Sequence, residues 1–300
     1  MRTSLLFLLA LLLTGCPTNS PNDDDAADDD DGANDDDDSA LSVFDLDGEG
    51  PRTTASVEGS FTTTGGCVLD YSDHHPTEDP TAPLVVLAHG FQRSGAQMVG
   101  LADHLATWGL RVVVPDLCHS TFADSDPEAN GEEMVELAAS LQPTEAVAYV
   151  GYSAGGLAAL IAASQDTRTS VLVGLDLVDN GPGAAAAAAL TAPAYGMFGE
   201  PSACNSQSNG VAILQGASTS SLGRLTDADH CDFEDPTDAT CLTLCENTSA
   251  TVDQETIGAV MRAMMTAPLM QHLAGFSDAA IWWHGEEATA LADKGLWTPL

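Results

Sequence analysis

The chain has 300 residues, carries 45 acidic against 8 basic side chains for a formal charge of −37, and is 44% hydrophobic. A surface this acidic repels phosphate backbones, which excludes nucleic acid as a partner and disfavours polyanionic substrates. Eleven of the acids fall between residues 22 and 39, and what remains is long enough for one α/β domain with a large core.

Met1-Arg2-Thr3-Ser4, an apolar run from Leu5 to Leu13 and then Thr14-Gly15-Cys16 lay out a secretory signal peptide. The run is too short to span a bilayer stably. Leu13-Thr14-Gly15-Cys16 resembles the lipobox of bacterial lipoproteins, in which cleavage before the cysteine leaves it as a new N-terminus carrying acyl chains. The resemblance implies removal of residues 1–15, lipidation of Cys16 and an exported protein held in the cell envelope, at the outer membrane, facing the periplasm or the exterior. Membrane contact is then through lipid alone, each buried methylene contributing about 0.8 kcal/mol. An ordinary signal peptide with a chance cysteine is the alternative. Asn22 to Ser39 is nearly all Asp. Such a block repels itself and has nothing apolar to bury, so residues 16–40 are expected to be a disordered tether ahead of a domain spanning 41–300. Asp45-Leu46-Asp47-Gly48-Glu49 and the Asp runs are faintly similar to calcium loops, but neither has a complete ligand spacing.

Along the domain, residues 83–88 read as a short continuous apolar strand, followed by a helix from about Gly95 to Trp108. Residues 110–115 form a second buried strand, Glu132 to Leu141 a helix, 146–151 a third strand and Ala154 to Ser164 another helix. Residues 171–176 and 194–198 are further strands, and Ala184 to Ala189 between them is a short helix or a flexible loop. Thr251 to Ala274 has helical spacing and is expected to close the fold, its Met residues in the core. Strands alternating with helices predict an α/β fold, a mostly parallel sheet with helices on both faces.

Seven cysteines are present, and setting aside Cys16 leaves Cys67, Cys118, Cys204, Cys231, Cys241 and Cys245. An even number in an exported chain reads as disulfides whose pairing stays open. Zinc at Cys231, Cys241 and Cys245 is the rival, though the spacing fits no common finger.

The chemistry centres on Gly151-Tyr152-Ser153-Ala154-Gly155, a G-x-S-x-G placed between a buried strand and a helix, the context a nucleophile elbow requires. Small residues permit a tight turn that lifts the Ser153 hydroxyl clear of the sheet. A hydroxyl needs a base to take its proton, and the attacked carbonyl oxygen needs donors as it becomes an anion. One donor is the Ala154 N–H. The other is expected in the loop at His89-Gly90-Phe91, which assigns the Phe91 N–H and leaves His89 a structural part. The order Ser, acid, His leaves His230, His272 and His284 as bases. His230 lies in a polar segment, Asp227 to Phe233, where a catalytic loop belongs, whereas His272 sits in the long helix and His284 beside Trp282-Trp283. Asp176 at the end of an apolar strand, Asp179 three residues on and Glu200 after the next strand compete as the acid.

Pro83 to Leu117 with its His89-Gly90-Phe91 and Pro115-Asp116, together with Gly151 to Gly156 and Leu175 to Asp179, resembles the chlorophyllase-like branch of α/β-hydrolases. Bacterial cutinase-like polyester hydrolases and platelet-activating-factor acetylhydrolases are similar more distantly. The resemblance covers most of residues 57 to 245 and implies the α/β-hydrolase fold and a serine esterase or lipase-like activity without cofactor or metal. It also implies Asp176 as the acid, from the family's Gly-x-Asp-Pro-Val segment, with Leu177 here in place of Pro. Tyr152 and Ala154 stand where the plant enzymes usually carry His and Arg, which argues against chlorophyll as the substrate. The expectation is a monomer that hydrolyses a small ester or lipid-like substrate with an apolar acyl group. An acyltransferase using the same residues, and a non-catalytic binding protein of the same fold, are the rivals.

Overall fold

The computed structural model describes residues 45–300; the signal-peptide, Cys16 and tether readings fall outside the described residues. An antiparallel hairpin of β1 (Thr54–Thr62) and β2 (Val68–Pro76) comes first. Strand and helix then alternate through β3 (Leu84–Ala88), α1 (Val99–Thr107), β4 (Arg111–Pro115), α2 (Pro127–Leu141), β5 (Val147–Tyr152) and α3 (Ala154–Gln165). The alternation continues through β6 (Thr169–Leu175), α4 (Gly183–Ala189), β7 (Ala194–Phe198), α5 (Gly210–Leu214) and β8 (Ser220–Leu225). After these come α6 (Ala239–Cys245), α7 (Gln254–His272), α8 (Ile281–His284), α9 (Glu286–Asp293) and β9 (Trp297–Pro299).

Among the described residues these strands make one nine-stranded sheet in the order β1-β2-β4-β3-β5-β6-β7-β8-β9. The run from β4 to β8 is parallel, and β1, β2 and β9 join antiparallel at the two edges. Parallel strands are covered on both faces, which is why β3, β5 and β7 are buried throughout and read as unbroken apolar runs. Alternation sorts their side chains. Val85, Leu87, Val112 and Val150 meet Leu101 and Leu105 of α1 and Met261 and Met264 of α7, while Leu84, Val86, Tyr149 and Leu172 meet Met134 of α2 and Leu157 and Leu160 of α3. Each such side chain, fully buried, stabilises the fold by roughly 1.5–3 kcal/mol relative to exposure.

The expected strands and helices are present with small shifts. The α2 helix starts at Pro127, five residues before Glu132, because the Asp126 carboxylate accepts the Glu128 and Ala129 N–H groups and proline fits the first helical position. The alanine run is helical, as α4. The long helix over 251–274 is α7, but it does not close the fold: α8, α9 and β9 follow it, and β9 pairs with β8.

Candidate active site

Four loops at the carboxyl ends of β3, β5, β6 and β8 converge, the usual place for a site in a parallel sheet. Between β5 and α3, Ser153 adopts φ 54° and ψ −123°, a sparsely populated conformation that costs on the order of 1–3 kcal/mol in a non-glycine residue. Three backbone bonds hold it there: Ser153 N–H to the Leu175 carbonyl at 2.9 Å, and the Gly156 and Val178 N–H groups to the Ser153 carbonyl at 3.0 and 3.1 Å. The turn is so tight that a Cβ on Gly151 would lie 2.3 Å from the Gly155 carbonyl oxygen, and one on Gly155 2.1 Å from that of His89. Any side chain at either position would push the elbow open.

Asp176 follows β6 with φ 43°, fully buried. His230 opens a 3-10 turn after β8 that Asp229 caps, its carboxylate accepting the Cys231 N–H at 2.7 Å. The other Asp229 oxygen takes the Asn247 N–H at 2.7 Å, tying the turn to the segment after α6. The three side chains form one hydrogen-bonded line: His230 Nδ1 to Asp176 Oδ2 at 2.6 Å, and His230 Nε2 to Ser153 Oγ at 3.0 Å. An ionised carboxylate only accepts, so Nδ1 carries the ring proton and Nε2 accepts from the serine hydroxyl. The Tyr152 ring lies 4.8 Å from the imidazole, centroid to centroid, tilted by 40°; burial pushes the Tyr152 phenol well above its ordinary range. Burial also pushes the Asp232 carboxyl, in the same turn as the base, up to about 7.

Of the other acids, Asp179 turns away to accept the Gly181 and Gly183 N–H groups at 3.1 and 2.9 Å, where it shapes the start of α4. Glu200 is half-exposed, 4.0 Å from Arg224 Nε. Of the other histidines, His272 bonds the Tyr195 hydroxyl at 2.9 Å and His284 bonds Ser221 Oγ at 3.0 Å. His89 is buried, with Nδ1 donating to the Gly90 carbonyl and Nε2 accepting the Leu117 N–H at 2.9 Å, and burial lowers its pKa. It shapes the loop that carries Phe91.

Phe91 and Ala154 both line a cavity of about 10 Å³, room for about one oxygen-sized group. The Ala154 N–H stands at the positive N-terminal end of α3. A second cavity, of about 370 Å³, is lined by Phe91, Phe122, Tyr152 and Leu244 together with Ser153, His230 and Arg93. Phe91 and Phe122 meet edge to face at 4.9 Å.

Two side chains of the site, Arg93 and Asn205, carry no sequence signal, and the expected disulfides carry none for their pairing. Arg93, two residues past Phe91, donates from Nη2 to Glu234 at 2.6 Å and from Nη1 to Asp238 at 3.0 Å, so its charge joins the Phe91 loop to the segment behind His230. The cysteines pair as Cys67–Cys118, Cys204–Cys245 and Cys231–Cys241. With every one of these sulfurs in a disulfide, Cys231, Cys241 and Cys245 have no thiolate to offer zinc. Two of the bridges converge on α6, the wall of the large cavity, from Cys231 beside the base and from Cys204. Asn205, next to Cys204, is fully buried against Asp176. Compared with known proteins, the chain matches no protein-family model, and no curated protein matches it.

Proposed function

We propose that this chain is a serine hydrolase of the α/β-hydrolase superfamily that cleaves carboxylic esters through an acyl-enzyme on Ser153. The observation that carries the reading is the Ser153–His230–Asp176 line of hydrogen bonds, 3.0 and 2.6 Å long, ending on a serine held in a strained strand-to-helix turn. The resemblance of the elbow and of the Asp176 strand end to chlorophyllase-like hydrolases points the same way. In the proposed mechanism Ser153 Oγ attacks the ester carbonyl carbon while His230 Nε2 takes its proton, and Asp176 stabilises the imidazolium. The Phe91 and Ala154 amides hold the oxyanion. Collapse of the tetrahedral intermediate breaks the ester C–O bond, and His230 returns the proton to the departing alcohol. Water, deprotonated by the same nitrogen, then attacks the acyl-enzyme, releases the acid and restores the serine hydroxyl. Apolar cavity walls and an acidic surface favour neutral, apolar esters.

The test is hydrolysis of p-nitrophenyl esters by the purified protein, with products analysed in the presence of an added alcohol. Nitrophenol and free acid are the expected products. Exclusive transfer to the alcohol would identify an acyltransferase instead, and no turnover above buffer across short and long acyl chains would contradict the reading.

Three disulfides point to an oxidising, exported environment, and no helix among the described residues is long and apolar enough to cross a membrane. We further propose that lipid on Cys16 anchors the protein. Wild type is then expected to partition with membranes and Cys16→Ser to be released or left unprocessed; equal solubility of the two forms would rule the anchor out.

A further inference from the structure

Asp176 is fully buried, and a carboxylate taken out of water needs its acceptor sites filled. His230 fills one. The Gly199 N–H donates to Oδ1 at 3.2 Å. The third donor is the side chain of Asn205, whose Nδ2 lies 3.1 Å from Oδ2 and 3.3 Å from Oδ1 and so reaches both oxygens. No other side chain within the described residues, apart from His230 and Asn205, donates to this carboxylate.

Asn205 is itself fully buried and held from both ends. Its Oδ1 accepts the Ser202 N–H at 2.8 Å and the Ser208 N–H at 3.1 Å, and the second proton of Nδ2 goes to the Glu200 carbonyl at 2.9 Å. Two backbone donors on Oδ1 leave only one orientation of the amide, with the NH2 group facing Asp176. The loop that presents it turns through three successive left-handed residues, Ser206, Gln207 and Ser208, at φ 50°, 61° and 54°. The Cys204–Cys245 bridge fixes the same loop to α6. So tight a loop, pinned by a disulfide and folded around one amide, is built to hold that amide.

We propose that Asn205 is a positioning residue that keeps the Asp176 carboxylate aimed at His230 Nδ1; the proposal rests on the serine-hydrolase reading. Its grip on both oxygens limits rotation of the carboxylate. Asn205 is fully buried and does not line the cavity at Ser153, so its effect belongs in turnover and passes through Asp176 alone.

The test is a double-mutant cycle on nitrophenyl-ester hydrolysis in the full protein, with kcat and KM measured for Asn205→Ala, Asp176→Asn and the double variant. Asn205→Ala is expected to lower kcat about 10- to 100-fold with KM changed less than about threefold, and to cost less than about threefold more once Asp176→Asn is present. A residue that only supports the fold would lower activity by the same factor in both backgrounds. If Asn205→Ala does not fold, the isosteric Asn205→Asp, which replaces the donor by an acceptor, runs through the same cycle with the same expectation. Native kcat in the folded Asn205 variant, or losses that multiply in the cycle, would overturn the proposal while leaving the serine-hydrolase reading intact. Native turnover in Ser153→Ala would overturn that reading and this proposal with it.

Discussion

Ser153→Ala is expected to lower turnover of a nitrophenyl ester by at least about 10³-fold, as removal of an attacking serine usually does. Among the described residues, Ser153 Oγ is the hydroxyl of the large cavity that bonds His230 Nε2, and neither Tyr152 nor Thr240, which also line it, has such a bond. The fold should survive. Alanine at φ 54° bears the same Cβ as serine, and the Leu175, Gly156 and Val178 backbone bonds that hold the elbow do not use the hydroxyl. Melting temperature is therefore expected to stay within a few degrees of wild type, which separates lost chemistry from lost structure. Turnover within about tenfold of wild type in a folded Ser153→Ala protein would contradict the proposed nucleophile.

Asp176→Asn is expected to cut turnover at least about 10²-fold at neutral pH, with Asp179→Asn and Glu200→Gln within about tenfold of wild type. An amide in place of Asp176 turns an NH2 or a weaker carbonyl acceptor toward His230 Nδ1. Facing the NH2, the ring has to put its proton on Nε2, pointing at Ser153 and unable to accept from it. Asp179 and Glu200 lack this connection. Asp179 serves backbone N–H groups of its own loop, and Glu200 faces Arg224. Steady-state kinetics of the three variants decides the matter, and a crippled Glu200→Gln beside a normal Asp176→Asn would move the acid to the end of β7.

The central strands and the elbow were legible because burial on both faces demands apolar residues: the buried stretches of β3, β4, β5, β6 and β7 are mostly Val, Leu, Ala, Tyr, Met and Phe with a few Gly, and the elbow needs glycine where its backbone strands touch. The edges were not. In β1, Ala55, Val57, Gly59 and Phe61 alternate with polar residues, but no residue of the strand is buried, Val57 is exposed and only Phe61 packs on the core, so the alternation carries little apolar weight. Gly223 and Arg224 interrupt β8 for local reasons, the indole of Trp297 filling the place of a Cβ at Gly223. Three candidate acids stood open because strand ends alone do not say which way a carboxylate points. The turn at φ 43° sends Asp176 inward, and one residue past Gly199, whose N–H bonds Asp176, Glu200 points out. Asn205 gave no signal at all, since it reaches Asp176 only through a loop that folds back on itself. The pairing of Cys204 with Cys245 and of Cys231 with Cys241 likewise depends on where α6 lands, which no spacing rule supplies.

The most direct test of the proposed nucleophile is peptide mapping by mass spectrometry after treatment with a fluorophosphonate, which modifies a serine only where a base has activated it. One adduct per chain on Ser153, absent from Ser153→Ala and strongly slowed in Asp176→Asn, is the expected result. An active protein that hydrolyses esters while Ser153 stays unmodified, or carries the adduct on another residue, would contradict the account.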